Sequence, residues 1–325
     1  MTLTTRQPTG LPSWPMILIA GAEKSGKSYA AAEASTSDLI DRTLWISVGE
    51  DEPDELGAIE GARFEIVEHD GTYRAILNAV TEASELDGGP HLIVVDSVTR
   101  LWDLLCDEAQ AQANRRAKAK AEKYNRQAPA DDVQITMDLW NTAKARWQRF
   151  IDVLRDHKGP SLLTARLDEV TIVDGQGNPT KDKTLKIKAE KSLPFDVGAI
   201  VQLPKFGEAY LTGVRSLRFR PSPTETTKLP DFTVDALWRN LGLEDATSPR
   251  RHSSATGDES IAADESVRQQ VRDLLGEIRS IATEKDIDLN AVATRFESDF
   301  GEPINATQDL ATLAIFRDQL KGEAA

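Results

Sequence analysis

The octapeptide GAEKSGKS, residues 21–28, has the residue types and spacing of a phosphate-binding loop. Gly21 and Gly26 permit a tight turn whose backbone N–H groups point inward at phosphate oxygens. Lys27 is expected to reach the β- and γ-phosphates of ATP, and the Ser28 hydroxyl is expected to bind Mg²⁺. The residues that we expect to contact the nucleotide are Gly21, Ala22, Glu23, Lys24, Ser25, Gly26, Lys27, Ser28 and Tyr29.

Two carboxylates complete the chemistry that this loop predicts. Asp96 ends the apolar run HLIVVD, so a strand carries it to the sheet edge of the loop, where it can hold Mg²⁺. Hydrolysis also needs a base for the attacking water. Glu50, Asp51 and Glu52 follow the strand-like TLWISV, and we favour Glu50 because it is the first carboxylate past the strand. The alternative is a solvated acidic loop, so the catalytic candidates are Glu50 and Lys27.

The elements that position these groups alternate between strand-like and helix-like segments. A short apolar run at 16–20 precedes the loop, and an Ala-rich helix at 28–34 follows it. Further strands are expected at 43–48, 63–68, 91–95 and 161–165, a helix at 72–86, and hairpin arms at 170–173 and 184–188. Alternation of this kind predicts an α/β fold with a mostly parallel central sheet.

Composition excludes several classes of protein. The chain has 39 Lys and Arg against 53 Asp and Glu, a net charge of −14, which argues against a protein that is basic all over and simply coats nucleic acid. The single cysteine, Cys106, excludes an intrachain disulfide and a cysteine-rich zinc site. Neither a membrane span nor a secretory signal is recognisable, so a cytoplasmic protein without membrane contact is expected.

Three regions are expected along the chain. Residues 14–243 form the α/β core, and the polar segment 244–266, with Pro, Gly and Ser, is interpreted as a flexible linker. Residues 267–322 carry three apolar helical stripes and are interpreted as a small all-α module. The segment 244–325 holds 17 acidic and 9 basic residues, so the module and linker are acidic.

The motifs also resemble a known family. HLIVVDSVTRL, residues 91–101, resembles the strand and turn around the Mg²⁺ carboxylate of RecA recombinases. Glu50 and Asp96 follow Lys27 by 23 and 69 positions, close to the intervals in that family. Over residues 14–243 the chain is similar to the short RecA-like ATPases of bacteriophages called Sak-type single-strand annealing proteins. In those proteins a Trp-bearing helix leads into a strand that ends in Thr-Ala-Arg, and a hairpin and a Phe-Asp strand entry follow. Here Trp147 lies in the corresponding helix, and residues 162–166 (LLTAR) form the strand. The hairpin is the segment after residue 166, and the strand entry is PFDVGAIVQL, which starts at Pro194.

The resemblance implies a RecA-like P-loop core that binds and pairs single-stranded DNA with ATP during phage recombination, as a homo-oligomer in the host bacterial cytoplasm. It assigns nucleotide and metal to Lys27 and Ser28, metal to Asp96, and the catalytic base to Glu50. RecA proteins couple nucleotide to DNA through an Asn-Gln pair after the fifth core strand, whereas this chain has Ala165-Arg166 nearby. Arg166 or another group would therefore carry the coupling. Arg166 or a hairpin lysine, Lys191, could instead reach the γ-phosphate of a neighbouring subunit.

Two groups of basic residues follow the strands after which this family places its DNA-contacting loops. Single-strand binding needs cations that track the phosphates. The alternatives are a solvated helix face for the first group and, for the second, an edge hairpin that lysines protect from aggregation. The first group, here called the helical basic cluster, is Arg115, Arg116, Lys118, Lys120 and Lys123. The second, the hairpin lysines, is Lys181, Lys183, Lys186 and Lys188.

Two further functions remain open from the sequence. One is another P-loop DNA motor, either a helicase or a packaging ATPase. The other is a nucleotide-gated scaffold that recruits replication proteins, or a single-strand-binding protein, through residues 267–322. ATP turnover in the presence of single-stranded DNA distinguishes the leading hypothesis from both.

Overall fold

The computed structural model describes residues 3, 5–176, 178–219, 226–245, 247–250, 257–285, 287–300, 303–304, 307 and 310–322. The chain divides into two compact units, residues 1–252 and residues 253–325. None of the helices in the described part of the chain is long and apolar enough to cross a membrane.

One sheet organises the first unit. Within the described ranges it has nine strands, which are β1 (Met16–Gly21), β2 (Thr43–Ser47), β3 (Glu65–Ile66), β4 (Leu92–Asp96), β5 (Ser161–Val173), β6 (Pro179–Lys188), β7 (Ala199–Lys205), β8 (Glu208–Val214) and β9 (Thr227–Lys228). Their order is β3-β2-β4-β5-β1-β7-β8-β9, and β6 pairs with β5 outside this path.

The strands from β3 to β7 in this order run parallel. The strands β6, β8 and β9 are antiparallel to their partners. Parallel neighbours need crossover connections, which place helices over the faces of the sheet. Only β5 separates β1 from β4, so the loop after β1 and the end of β4 meet at the same edge. The α/β class with a mostly parallel central sheet is therefore confirmed.

Helices cover both faces of this sheet. The helices of the first unit in the described ranges are α1 (Lys27–Ala34), α2 (Tyr73–Glu85), α3 (Val98–Lys123), α4 (Met137–Asp156), α5 (Leu193–Asp196) and α6 (Val234–Asn240). Alternate residues of β1 enter different cores: Ile17 and Ile19 pack with α1 and α6, whereas Leu18 packs with α2, α3 and α4. Burial on both faces explains why β1 is apolar throughout instead of alternating with polar residues.

Two strands differ in length from the predictions. The segments expected separately at 161–165 and 170–173 form one strand, β5, whose outer half pairs only with β6. The hairpin register continues the strand because β6 satisfies the backbone groups that the central sheet leaves unpaired. At the opposite edge, the strand expected at 63–68 is reduced to the two residues of β3, which pair with β2 alone.

The helical basic cluster lies on α3, which extends over 26 residues. After a connection at 124–136, α4 packs along α3, and a small core of Ala109, Ala113 and Leu139 lies between them. Thr72 caps α2 by accepting a hydrogen bond from the backbone N–H of Ala75, as its type and position predict.

The second unit contains α7 (Gly257–Glu284), α8 (Leu289–Phe300) and α9 (Leu310–Gly322) in its described ranges. They share a core in which Phe296 and Phe316 are fully buried and pack at right angles, with ring centroids 5.0 Å apart. The helix α7 begins at Gly257, inside the segment 244–266 that we interpreted as a linker. Alanine and acidic residues in that segment are compatible with the start of a helix. The helical module itself is present as predicted.

Candidate functional site: the nucleotide edge of the sheet

The loop from Gly21 to Ser28 joins β1 to α1. A Cβ atom at Gly21 would lie 2.2 Å from the Ser25 Oγ and 3.1 Å from the Leu203 backbone oxygen, so only glycine fits there. Gly26 has φ of 94°, in the left-handed region that favours glycine. The loop thereby places a tight backbone cradle before a helix N-terminus, an arrangement that binds phosphate.

The side chains in the middle of the loop differ in their exposure to solvent. The Ser25 hydroxyl is buried and has no hydrogen-bond partner in the protein. A buried polar group without a partner costs roughly 1–3 kcal/mol, so a phosphate oxygen would be a fitting acceptor. Glu23 and Lys24 point into solvent, with side chains 86% and 90% exposed. These two residues therefore offer their backbone, and not their charges, to a phosphate.

Lys27 lies across the loop. Its Nζ donates a hydrogen bond to the Ala22 backbone oxygen at 2.8 Å. Burial lowers the pKa of Lys27, and the nearby carboxylates of Asp96 and Glu50 oppose that shift. An ammonium group held at this place can exchange a carbonyl partner for a phosphate oxygen without moving far.

Asp96 lies at the end of β4 and is only 4% exposed. The Ser28 Oγ donates to its Oδ2 at 2.7 Å, and the Thr164 hydroxyl donates to its Oδ1. Burial raises the pKa of Asp96, and these two hydrogen bonds oppose the rise. A carboxylate and a hydroxyl are oxygen ligands that Mg²⁺ prefers, so the residues present fit that ion. The structure thus brings the two predicted metal residues, Ser28 and Asp96, into contact.

Thr164 was missed by the sequence analysis. It lies on β5 between β1 and β4, where it is fully buried. Its signal in the sequence is a hydroxyl in the otherwise apolar run LLTA, residues 162–165. A buried hydroxyl needs a partner, and here that partner is the Asp96 carboxylate.

Glu50 lies next to this site and accepts hydrogen bonds from two residues, Ser97 and Arg166. The Ser97 hydroxyl donates to its Oε1 at 2.8 Å. The Arg166 Nη2 donates to both carboxylate oxygens of Glu50 at 2.8 Å, and the side chains of this ion pair are partly exposed. Asp51 and Glu52, the other candidates, are exposed. Of the acidic triplet, Glu50 is the member that the structure joins to the sheet edge of the phosphate-binding loop.

Arg166 connects this edge to the β5–β6 hairpin. Its backbone N–H donates to the Thr99 Oγ1 at 2.9 Å, and the Thr99 hydroxyl donates to the Lys188 backbone oxygen at 2.5 Å. Arg166 and Lys188 are direct cross-strand partners. Lys188 also pairs with Asp103 at 3.4 Å. Lys191, the other predicted sensor residue, is exposed in the turn between β6 and α5.

The hairpin lysines are exposed along β6. Successive side chains of a strand point to opposite faces, so Lys186 and Lys188 share the face of Arg166, whereas Lys183 lies on the other face. Lys183 pairs with Glu169 at 2.5 Å. Lys181 lies nearer the tip, where the register with β5 shifts. One face of the hairpin is therefore continuous with the sheet edge that carries Arg166 and Glu50.

The helical basic cluster is more distant from that edge. Ser97 caps the N-terminus of α3 beside Glu50, whereas the cluster starts at Arg115. A rise of about 1.5 Å per residue puts Arg115 roughly 25 Å from the helix start. Within the cluster, Arg116 pairs with Asp138 of α4 at 2.5 Å. A role of this cluster in DNA binding stays a prediction.

The fold and this site define a P-loop ATPase domain. Residues 14–229 match the protein family described as an AAA domain, and the chain belongs to that family. No curated protein matches the chain. Among solved structures, the chain is similar to the RadB recombinase, with 20% identity, a TM-score of 0.39 and coverage of 65% of this chain and 85% of that one. It is also similar to an ATPase from the type III secretion system of pathogenic bacteria, with 14% identity, a TM-score of 0.35 and coverage of 62% of this chain and 61% of that one.

Proposed function

We propose that this protein is a Mg²⁺-dependent ATPase that binds single-stranded DNA and acts in annealing or recombination, as the resemblance to Sak-type bacteriophage proteins implies. The observation that carries the proposal is the position of Arg166, which links the candidate base to the hairpin. It binds both oxygens of the Glu50 carboxylate and lies directly opposite Lys188 in the lysine-bearing hairpin. A polyanion bound to the hairpin would therefore act on the residue that holds the candidate base.

Each residue of the site has a distinct role in the proposed reaction. The loop N–H groups and Lys27 would hold the phosphates, and Ser28 and Asp96 would hold Mg²⁺, which would neutralise charge that develops on the phosphates. Glu50 takes the proton of the attacking water. While Arg166 and Ser97 bind Glu50, its oxygens are occupied. Displacement of Arg166 by DNA on the hairpin would free Glu50 and accelerate hydrolysis.

The test is ATP turnover with and without single-stranded DNA, compared among wild type, Lys27→Ala and Arg166→Gln. We expect DNA to stimulate the wild type, Lys27→Ala to be inactive, and Arg166→Gln to hydrolyse ATP at a rate that DNA no longer changes. Wild-type turnover without stimulation, together with no DNA binding at low salt, would contradict the proposal. ATP-driven duplex unwinding would instead favour a helicase.

For assembly, we propose a homo-oligomer in the host bacterial cytoplasm, with the helical unit binding a replication or single-strand-binding protein. The separate hydrophobic core of that unit supports a docking role, since a unit with its own core can present a surface independently. Light scattering tests the oligomer. Binding of purified host single-strand-binding protein, compared between the full chain and residues 1–252, tests the partner.

A further inference from the structure

The N-cap and first turn of α3 lie between the two segments that meet at the candidate site. On one side, the Ser97 hydroxyl donates to Glu50, and the Arg100 Nε donates to the Gly49 backbone oxygen at 3.2 Å. On the other side, Thr99 contacts the root of the β5–β6 hairpin, where the hairpin leaves the central sheet. This turn is therefore in contact with both the candidate base and the candidate DNA-binding hairpin.

Thr99 bridges the two strands of the hairpin through its hydroxyl. The Arg166 backbone N–H donates to the Thr99 Oγ1 at 2.9 Å, and this hydroxyl donates in turn to the Lys188 backbone oxygen at 2.5 Å. Arg166 of β5 and Lys188 of β6 are cross-strand partners, so the hydroxyl joins the strands at the root of the hairpin. A hydroxyl can donate one hydrogen bond while it accepts another, which an apolar side chain of the same shape cannot do.

This bridge is buried, whereas the ion pair of Arg166 with Glu50 is partly exposed. Thr99 is 0% exposed. The side chains of Arg166 and Glu50 are 42% and 27% exposed, and ion pairs that are open to solvent contribute little to holding a geometry. A buried hydrogen bond is costly to break, because the freed backbone groups have no water to bind. We therefore expect the place of the Arg166 guanidinium to depend on its backbone anchor at Thr99.

A second contact between α3 and the hairpin root is weaker than the bridge. The Lys188 Nζ lies 3.4 Å from the Asp103 carboxylate, and both side chains are partly exposed. Asp103 is also shared with Arg100, whose Nη1 lies 3.8 Å away. Because salt screens charges that are open to solvent, this pair holds the hairpin root less firmly than the buried hydroxyl does.

We propose that Thr99 is a positioning residue: its hydroxyl fixes the backbone of Arg166 so that the guanidinium stays on the Glu50 carboxylate until DNA displaces it. The proposal deepens the proposed function and rests on the part of it that makes Glu50 the base and Arg166 its restraint. In this role Thr99 acts through Arg166 and not by contact with the substrate. Without the hydroxyl, Arg166 would leave Glu50 more often, so ATP would be hydrolysed faster in the absence of DNA.

The test measures ATP turnover of full-length Thr99→Val with and without single-stranded DNA. Valine keeps the shape of the side chain and removes the hydroxyl. One hydrogen bond changes an equilibrium severalfold, so we expect the DNA-free kcat to rise about three- to tenfold at an unchanged KM for ATP. Stimulation by DNA should shrink by the same factor, whereas the DNA affinity should not change, because the hairpin lysines are still present. Thr99→Ser, which retains the hydroxyl, should behave as the wild type does.

Two further measurements separate positioning from a general loss of structure. Hydrogen–deuterium exchange should show the Arg166 amide less protected in Thr99→Val than in the wild type. In the Arg166→Gln background, Thr99→Val should change kcat no further, since residues that act through one another are not additive. Thr43→Val is the matched control. Thr43 is buried and its hydroxyl finds no hydrogen-bond partner among the described residues, so turnover and exchange at Arg166 should stay as in the wild type.

Several results would overturn the proposal. An unchanged DNA-free kcat in Thr99→Val would show that Arg166 keeps its place without the bridge. A lower kcat with a raised KM would show that the hydroxyl only supports the fold, and Thr99→Ala, which has a smaller side chain, decides the matter if Thr99→Val does not fold. If DNA does not stimulate the wild type, the proposed function fails, whereas a raised DNA-free kcat in Thr99→Val still supports the role of Thr99. A wild type that hydrolyses no ATP overturns both.

Discussion

At the scale of single residues, hydroxyl groups donate hydrogen bonds to both carboxylates of the candidate site, Asp96 and Glu50. Ser28 and Thr164 donate to Asp96, and Ser97 donates to Glu50. Burial still raises the pKa of Asp96, so two neutral donors compensate only part of the cost of burying its charge. A bound cation would favour the ionised carboxylate, which explains why a buried acid is useful at this position.

The glycine that closes the loop provides the first prediction. Gly21→Ala should abolish ATP binding and lower the free energy of unfolding by about 1–3 kcal/mol, because its Cβ would overlap Ser25 and approach the Leu203 carbonyl. Calorimetric ATP titration and urea denaturation measure the two effects. Gly57→Ala is the control, since Gly57 is exposed and a Cβ there meets nothing within 4 Å. Normal ATP binding by Gly21→Ala would contradict this account of the loop.

The single thiol provides a prediction of pH dependence. Burial, together with the charges of Asp103 and Asp107, raises the pKa of Cys106 to about 11. The neutral thiol therefore persists through neutral pH, and the reactive thiolate increases as the pH rises towards 11. We expect iodoacetamide to alkylate Cys106 at pH 8 about tenfold more slowly than free cysteine.

Mass spectrometry of samples quenched between pH 7 and pH 11 follows this alkylation. The same chain unfolded in guanidinium is the control and should react at the rate of free cysteine. A rate in the folded protein that stops rising near pH 9 would show that the pKa of Cys106 is ordinary.

At the scale of elements, the β5–β6 hairpin is the part that joins the candidate DNA surface to the candidate base, Glu50. One strand, β5, contributes Thr164 to the proposed metal site and Arg166 to the contact with Glu50, and it then continues outward to pair with β6. Cross-strand pairing links β6 to β5, so a displacement of β6 would also act on β5 and on Arg166. The alternation of β6 then decides which lysines lie on the Arg166 face.

That alternation predicts different effects for two exposed lysines of equal charge, Lys186 and Lys183. Lys186→Gln should reduce the salt dependence of single-strand binding by about 0.7 in the slope of log K against log salt, the loss expected for one phosphate contact. It should also weaken the DNA stimulation of ATP turnover. Lys183→Gln, on the opposite face, should leave the stimulation unchanged.

Fluorescence anisotropy of a labelled oligonucleotide at four or five salt concentrations gives the slope for each variant. The two substitutions remove the same charge from the same strand, so a general electrostatic effect would change both slopes alike. Equal changes in slope and stimulation would mean that the face of the hairpin does not matter.

At the scale of the whole molecule, each of the two units of the chain has hydrophobic cores of its own. Two cores cover the two faces of the sheet, and a small one lies between α3 and α4. The core of the helical unit is formed by α7, α8 and α9 together with Ile304. The buried residues of this core that the structure describes all belong to the helical unit, so the stability of that unit is expected to be largely its own.

Phe296→Ala in the full chain tests this independence. Phe296 is fully buried between Phe300 and Phe316, so its truncation should cost the helical unit about 3–5 kcal/mol and unfold much of it. Loss of helical circular dichroism at an unchanged ATP affinity is the expected result. Trp238→Ala, in the core of the ATPase unit, is the opposite control and should impair ATP binding. A parallel loss of ATP affinity in Phe296→Ala would show that the units depend on each other.

Much of the fold follows from local patterns in the sequence. The strand before the loop, the capped helix after Thr72 and the three helices of the second unit were predictable, because apolar periodicity and capping residues act within a few positions. The length of β5 was not predictable from the sequence, because pairing with β6 decides where this strand ends. The start of α7 was not, because a polar composition is compatible with either a linker or a solvated helix.

For the candidate site, the sequence alone determined the loop glycines, Lys27, Ser28 and the carboxylate at the end of β4. These residues are set by short motifs whose geometry is local. Tertiary structure alone decided that Thr164 contacts Asp96 across 68 positions, that Arg166 contacts Glu50 across 116, and that Phe206 lies against Gly26. The physical reason is strand order: β5 and β7 flank β1 in the sheet although they lie far from it in the chain, and hydrophobic patterning specifies that a strand is buried without specifying its neighbours.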